Sequence, residues 1–357
     1  MMDFSILKTE ALRVARNVCG LQQINYFPYA LPQPGRIFHI FDAPFFRQVR
    51  DHEAADWIVV MVNSNFPELA EKDIVYLNAT KKPILLLDRI DSPVVWFRQF
   101  DRLENLVYVL KNRNFRDLEW NNKPLFNWRM HLELIRQSLG LPETYNEYLP
   151  DASSEKGLAA LEPALRPEDM TKVRTLNWDF FSSHMGEYML PHLGPSVPFE
   201  ARDIDLFCVS SGKRGILGTF RERLKEEVER IGKKHGLKVC TESLPKAEFN
   251  ERLRHSKISI SAPGWGEQVH ADWYAVHSAV GLFKPDCSYM KMQPDLYQER
   301  YVDFFPHSFE GLEEKILEKL SGYEAYTQKV LAAQKLIRST SKRGLQQELF
   351  ELLMVAR

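Results

Sequence analysis

Hydrophobic and polar positions along this chain alternate in blocks, with short apolar runs followed by stretches of helical spacing. Trp57-Ile58-Val59-Val60-Met61-Val62 is wholly apolar, as expected of a strand buried on both faces. Ile37–Phe41, Pro83–Asp88 and Leu106–Leu110 read as further strands, and Glu68–Asn78 as a crossover helix between the second and third. Strands alternating with helices predict a parallel α/β sheet. Residues 141–200 carry prolines and little periodicity. The stretch 141–170 reads as an irregular connection, and Pro195–Arg202 as a linker to a second unit.

The second unit repeats the pattern. Asp205–Ser210 predicts a strand, Ser211–Gly215 a loop, and the residues from Thr219 a helix. Glu222, three residues after Thr219, suggests a capping box at that helix start. Phe220, Leu224, Val228 and Ile231 would form the helix's apolar face. Leu237–Thr241 and Ile258–Ser261 read as strands, with Lys246–His255 helical between them. Glu310–Leu320, Tyr323–Ile337 and Gly344–Val355 read as helices.

One corner stands out. The Ile258–Ser261 strand runs into Gly264-Trp265-Gly266-Glu267, then a helical run to Val280, then Gly281-Leu282-Phe283 and the charged Lys284-Pro285-Asp286. A glycine turn at the carboxyl end of a parallel strand is where open α/β sheets bind ligands. The N–H groups of a following helix favour an anion such as a diphosphate.

Composition narrows the options. The 357 residues suffice for two ordinary domains, and the net charge of −1 carries no general signature for binding nucleic acid. No N-terminal segment reads as a signal peptide, because Phe4–Cys19 is interrupted by Lys8, Glu10, Arg13 and Arg16. No integral membrane segment is expected either. Cys19, Cys208, Cys240 and Cys287 are widely spaced, which favours free thiols in a reducing compartment over zinc or a disulfide framework.

Several groups carry alternative readings. Ser211-Gly212-Lys213-Arg214-Gly215 is either a phosphate-facing loop or an ordinary turn with solvated charges, and it lacks P-loop spacing. Glu267 is either functional or a helix-start carboxylate that meets the dipole. Lys284 either emerges beside a bound diphosphate or pairs with Asp286. His270 and His277, seven residues apart, lack a third metal ligand and read as packed or surface histidines, with His270 placed to touch phosphate. Asp203 and Asp205 read as a strand-entry pair rather than a metal motif. Trp178, Asp179, Phe180, Phe181 and His184 form an aromatic group that reads as a satellite core or an acceptor platform.

The second unit resembles the nucleotide-binding half of GT-B glycosyltransferases, in particular the bacterial group related to exostosin-like and "group 1" enzymes. The resemblance rests on Gly264-Trp265-Gly266-Glu267, Asp272-Trp273, Lys284-Pro285-Asp286-Cys287-Ser288 and Pro294-Asp295-Leu296-Tyr297. It covers roughly residues 200–335. Where such enzymes carry an arginine for the donor diphosphate and a glutamate for the ribose, this chain has Ala271 and Tyr274. A small glycine of the pattern falls on Ala279.

The resemblance implies two Rossmann-like α/β domains facing across a cleft. These would be an acceptor-side domain at 1–195 and a nucleotide-sugar-binding domain at 196–335, with a C-terminal helix at 336–357 packing back on the first. The implied activity is metal-independent, cofactor-free transfer of a sugar from a nucleotide sugar to a glycan or glycosylated acceptor. It would take place in the cytoplasm or peripherally at the inner membrane. Donor contacts would come from Ser211, Gly212, Lys213, Arg214, Gly264, Trp265, Gly266, His270, Tyr274, Lys284 and Asp286. Glu267 and a base at Asp88 or Asp91, near the end of an N-terminal strand, would serve catalysis. Ala271 and Tyr274 leave a second reading, a catalytically degenerate protein that keeps the fold as a binding or scaffold module.

Overall fold

The computed structural model describes residues 22–26, 46–48, 53, 55–62, 68–88, 92–126, 129–143, 158–176, 196–210, 215–264, 266–340 and 342–355. In chain order the first half contains β1 (Gln22–Tyr26), β2 (Phe46–Gln48), β3 (Trp57–Val62), α1 (Glu71–Ala79), β4 (Ile84–Asp88), β5 (Leu106–Lys111) and β6 (Arg113–Phe115). It continues with β7 (Leu125–Phe126), α2 (Met130–Ser138), β8 (Leu158–Ala159), α3 (Pro167–Met170) and β9 (Val173–Thr175). The second half contains β10 (Ile204–Phe207), α4 (Gly215–His235), β11 (Val239–Cys240), α5 (Lys246–Arg254), β12 (Ser256–Ile260) and α6 (His270–His277). It ends with β13 (Gly281–Pro285), β14 (Met290–Met292), β15 (Asp303–Phe305), α7 (Leu312–Ser321), α8 (Tyr323–Ser339) and α9 (Lys342–Val355).

Two parallel sheets result. A six-stranded sheet runs in the order β2-β1-β3-β4-β5-β9, and a five-stranded sheet in the order β11-β10-β12-β13-β15. The chain is thus mixed α/β, with helices covering parallel sheets. β3 is buried along its whole length, and its two faces divide by the period of two. Ile58, Val60 and Val62 pack with Ile74 and Leu77 of α1, while Trp57, Val59 and Met61 join a core that includes Leu345, Leu349 and Leu353 of α9. Phe350 of α9 meets Phe46 edge-on at 6.2 Å. In the second sheet, Phe220, Leu224, Val228 and Ile231 of α4 are fully buried against Ile258, Ile260 and Phe283. Leu132 and Ile135 of α2 enter that same core, so a helix from the first half lies on the second sheet's helix. Among the described residues, no helix is long and apolar enough to cross a membrane.

The carboxyl ends of the two sheets are tied together. β5 ends at Lys111 and β6 starts two residues later; β13 ends at Pro285 and β14 starts at Met290. β6 and β14 pair antiparallel, with Met290 opposite Phe115 and Met292 opposite Arg113. Arg116 reinforces the splice: its guanidinium donates to both carboxylate oxygens of Asp295 at 2.8 and 3.0 Å, to Ser288 O at 2.7 Å and to Tyr297 O at 2.8 Å.

Some expectations change. The capping box at Thr219 and Glu222 is not formed, because α4 already begins at Gly215; burial of Ile216 and Leu217 extends the helix by a turn. The stretch 141–170 is not wholly irregular: it includes α3, and β9 just after it adds an edge strand to the first sheet. The helix after the Gly264 turn ends at His277, not Val280. The Ile37–Phe41 strand and the aromatic group at Trp178–His184 lie outside the described residues.

Replacing Arg116 by alanine removes four donated bonds, two of them charge-paired, from a partly exposed site. The expected loss is about 1–3 kcal/mol. It would be read as a lower urea midpoint at unchanged m-value, with Arg116→Ala and Asp295→Ala coupled rather than additive.

Candidate active site

In the second sheet, β12, β13 and β15 run in parallel, so the segments that follow them emerge at one edge. These segments are 261–269, 286–289 and 306–309. The expected corner lies at this edge, and its polar groups are buried.

Asp272, in the first turn of α6, is the hub. It is fully buried and accepts from Ser261 Oγ, Tyr297 OH and the Val269 backbone N–H (3.1 Å), and Lys284 Nζ lies 3.0 Å from its Oδ2. Lys284 is 1% exposed, and its ammonium also sits 5.8 Å from the Tyr297 ring. Burial first, and Asp272 second, push the Tyr297 phenol well above its ordinary range, so it stays a donor. A buried ion pair persists only when further hydrogen bonds offset its desolvation, and Asp272 has three.

This corrects two expectations. Lys284 does not emerge beside a ligand, nor does it pair with Asp286; strand direction turns its side chain inward to Asp272. Asp286 is exposed and caps its own turn through Ser288 N at 2.9 Å. The α6 start also already holds an anion, because Asp272 meets the Val269 N–H from within the helix.

Glu267 lies three residues before α6, so it does not cap that helix. It is fully buried. Its Oε1 accepts from Tyr289 OH at 3.1 Å and lies 3.1 Å from His131 Nδ1 of α2. The histidine approach is off the line of a good hydrogen bond, so the contact is a close electrostatic one. Burial raises the Glu267 carboxyl, but His131, the residue's own backbone N–H and Arg113 outweigh it and bring it to about 2. Among the described residues, Glu267 Oε2 and His131 Nε2 are buried without a hydrogen-bond partner. Tyr289 stacks on Trp120, with centroids 6.3 Å apart and planes at 6°. The pair therefore joins the first half to the second.

The glycine turn is tight. Gly264 N–H donates to Gly266 O at 2.9 Å, and a β-carbon on Gly264 would come within 2.9 Å of Val269 Cγ1. Buried Arg221 of α4 braces it through Pro263 O, with Nε at 3.1 Å. Tyr274 is 6% exposed, its ring 6.4 Å from that of exposed His270, and burial raises its phenol. Ala271 is half-buried beside it. His277 is half-buried, and burial and Arg338 lower its imidazole. Asp205 acts at the opposite sheet edge, where it holds Lys257 at 2.7 Å and the Lys238 N–H at 2.9 Å.

Asp88 ends β4, but it is not available as a base. Its Oδ1 lies 3.0 Å from Lys111 Nζ and its Oδ2 accepts from Trp96 N at 2.7 Å, all fully buried or nearly so. Ser211, Gly212, Lys213, Arg214, Trp265 and Asp91 lie outside the described residues. The described cysteines, Cys208, Cys240 and Cys287, are free and buried; burial pushes the Cys208 thiol up to about 12.

A cavity of about 350 Å³ opens beside the junction, lined by Ser138, Leu139, Arg223, Arg230, His307 and Phe309 among others. Phe309 holds a left-handed φ of 67°, a strained conformation for an aromatic residue. Burial first, then the charge of His131, lower the His307 imidazole to about 4.

No protein-family model matches the chain, and no curated protein matches it. Among solved structures it is similar to one titled "Crystal Structure of TarM", with 12% identity and a TM-score of 0.41 over 78% of this chain and 57% of that one. The chain therefore spans less than two thirds of that protein's length. A likeness of this size decides neither fold nor function.

Two outcomes are expected here. Lys284→Met strands a buried carboxylate and should cost about 3–5 kcal/mol in chemical unfolding, with Lys284→Met/Asp272→Asn, which removes the charge and keeps an acceptor, recovering part of it. His307 is neutral when folded, with its pKa below the ordinary 6.5. Its contribution is complete above pH 6.5 and lost as pH falls toward about 4, by at most about 3 kcal/mol. His307→Gln should flatten the stability–pH curve in that window.

Proposed function

We propose that the chain is a glycosyltransferase of GT-B type, moving a sugar from a nucleotide sugar to a glycan or glycosylated acceptor. The two parallel sheets would be the facing halves, and the junction of their carboxyl ends the reaction site. The observation that supports this reading most is the Glu267–His131 pair, which draws one residue from each half and leaves Glu267 Oε2 and His131 Nε2 open. Glu267 stays ionised at neutral pH, so it would orient and charge-stabilise rather than donate a proton. His131, held on its Nδ1 side, has the layout of a base. The acceptor oxygen would attack the anomeric carbon, the carbon–oxygen bond to the diphosphate would break, and His131 would take the acceptor proton. The nucleoside diphosphate would leave with the bond electrons.

On the donor side, Gly264, Gly266, His270, Tyr274 and Asp286 would meet the nucleotide sugar, with Tyr274 standing where the resembled enzymes carry a carboxylate. Lys284 belongs to the scaffold that holds Asp272. The sequestering of Lys284 and the packing of Tyr274 favour a second reading, a binding module without transfer.

UDP-, GDP-, CMP- and dTDP-sugars distinguish these readings in a thermal-shift series. One nucleotide sugar should raise Tm by several degrees, and a flat response to all four would overturn the donor site. His131→Gln should then slow transfer roughly 10²–10⁴-fold while changing nucleotide affinity little. Binding without any product in the native protein would establish the module reading.

A further inference from the structure

The carboxyl end of the first sheet holds a buried charge that the transferase reading does not use. Asp88 draws the 92–99 segment back over the strand end by accepting from the Trp96 N–H at 2.7 Å and facing the Phe97 N–H at 3.5 Å. This places Arg98 inside the protein at 5% exposure. Arg98 Nη2 donates to Asn121 O at 2.9 Å. The Asn121 side chain is itself engaged, accepting from Val95 N at 2.6 Å and donating to Leu118 O at 2.9 Å. Arg98 Nε and Nη1 are shielded from water and, among the described residues, have no hydrogen-bond partner.

A guanidinium cannot escape by losing its proton. Burial lowers its pKa to about 10, and Asp88 and Glu162 act against that, so Arg98 is cationic at neutral pH. Neither carboxylate satisfies it. Asp88 is paired with Lys111 at 3.0 Å, and Glu162 is exposed. The Arg129 guanidinium lies 5.9 Å from the ring of Trp96, two residues before Arg98. Charged donors left unmade in a low dielectric are strongly unfavourable, and the group that removes the penalty is an oxyanion able to take both N–H bonds.

We propose that Arg98 forms a buried oxyanion subsite at the carboxyl end of the first sheet, which takes the phosphate or carboxylate group of a ligand. The site itself stands without the transferase reading. Its assignment to the acceptor, which would then be an anionic glycan or phosphorylated carrier, rests on that reading.

Thermal unfolding of the full chain in sodium chloride, phosphate or acetate at matched ionic strength tests it. A saturable rise of roughly 3 °C or more is expected with phosphate or acetate over chloride, and the stronger of the two identifies the group. Arg98→Met should abolish the rise yet match or exceed the native Tm in chloride, since an uncompensated charge is gone. Arg98→Lys, which keeps charge but not the fork, should show a reduced rise and serves if Arg98→Met does not fold. Equal Tm in all three salts, or an undiminished anion response in either variant, overturns the proposal. Arg98→Met should lose the phosphate response and keep any nucleotide response, and His131→Gln should keep both, which separates this site from the donor site.

Discussion

The pairing of β6 with β14 is the constraint from which the rest of the architecture follows. Each strand begins within a few residues of the carboxyl end of a different parallel sheet. Their ladder therefore holds the two carboxyl edges together, although the partners are some 175 residues apart in sequence, as in the Asn114–Lys291 pair. Closing so long a loop has a large entropic cost. The ladder alone is short, and the Arg116 fork onto Asp295, Ser288 and Tyr297 adds directional, charge-assisted bonds where they are needed. Trp120 stacked on Tyr289 closes the same seam with apolar area.

Once the edges are held, polar groups from distant segments find one another. Tyr289 and Tyr297 flank β14 and the Arg116 fork, and each places its hydroxyl on a different buried carboxylate, Glu267 and Asp272. The splice is thus continuous with the site. α2 lies on α4, which carries His131 to Glu267. The two carboxylates have distinct roles: Asp272 is satisfied on all sides and rigid, while Glu267 has an oxygen without a partner. Full satisfaction suits Asp272 to a scaffold role, whereas the Glu267 oxygen without a partner is the less settled of the two.

Much of the fold was legible in the sequence because burial on both faces leaves an unbroken apolar run, and a covering helix leaves a 3.6-residue stripe. Trp57–Val62, Ile84–Asp88, Leu106–Lys111 and the Phe220–Ile231 stripe formed as their patterns indicate. β9, with three residues, and α2, whose buried face carries His131, Glu133 and Arg136 beside Leu132 and Ile135, had no such pattern. For the same reason His131 was invisible: a lone histidine on a helix becomes significant only when another segment brings a carboxylate to it. The turn itself was legible, since a glycine pair after a buried strand marks a sheet edge. The partners of Lys284 and Asp88 were not, because a side chain's neighbour across the sheet depends on register.

By itself the sequence determined two parallel α/β sheets, the direction of their main strands, and the corner at Gly264–Glu267. Those follow from short-range rules of periodicity, turn chemistry and burial, which act within a few residues. Only the tertiary structure decided that Lys284 faces inward to Asp272, that Glu267 meets His131, and that Arg98 is enclosed with two donors open. These depend on which edges are brought together, and that is set by packing and long-range pairing between residues that carry no mark of each other in the chain.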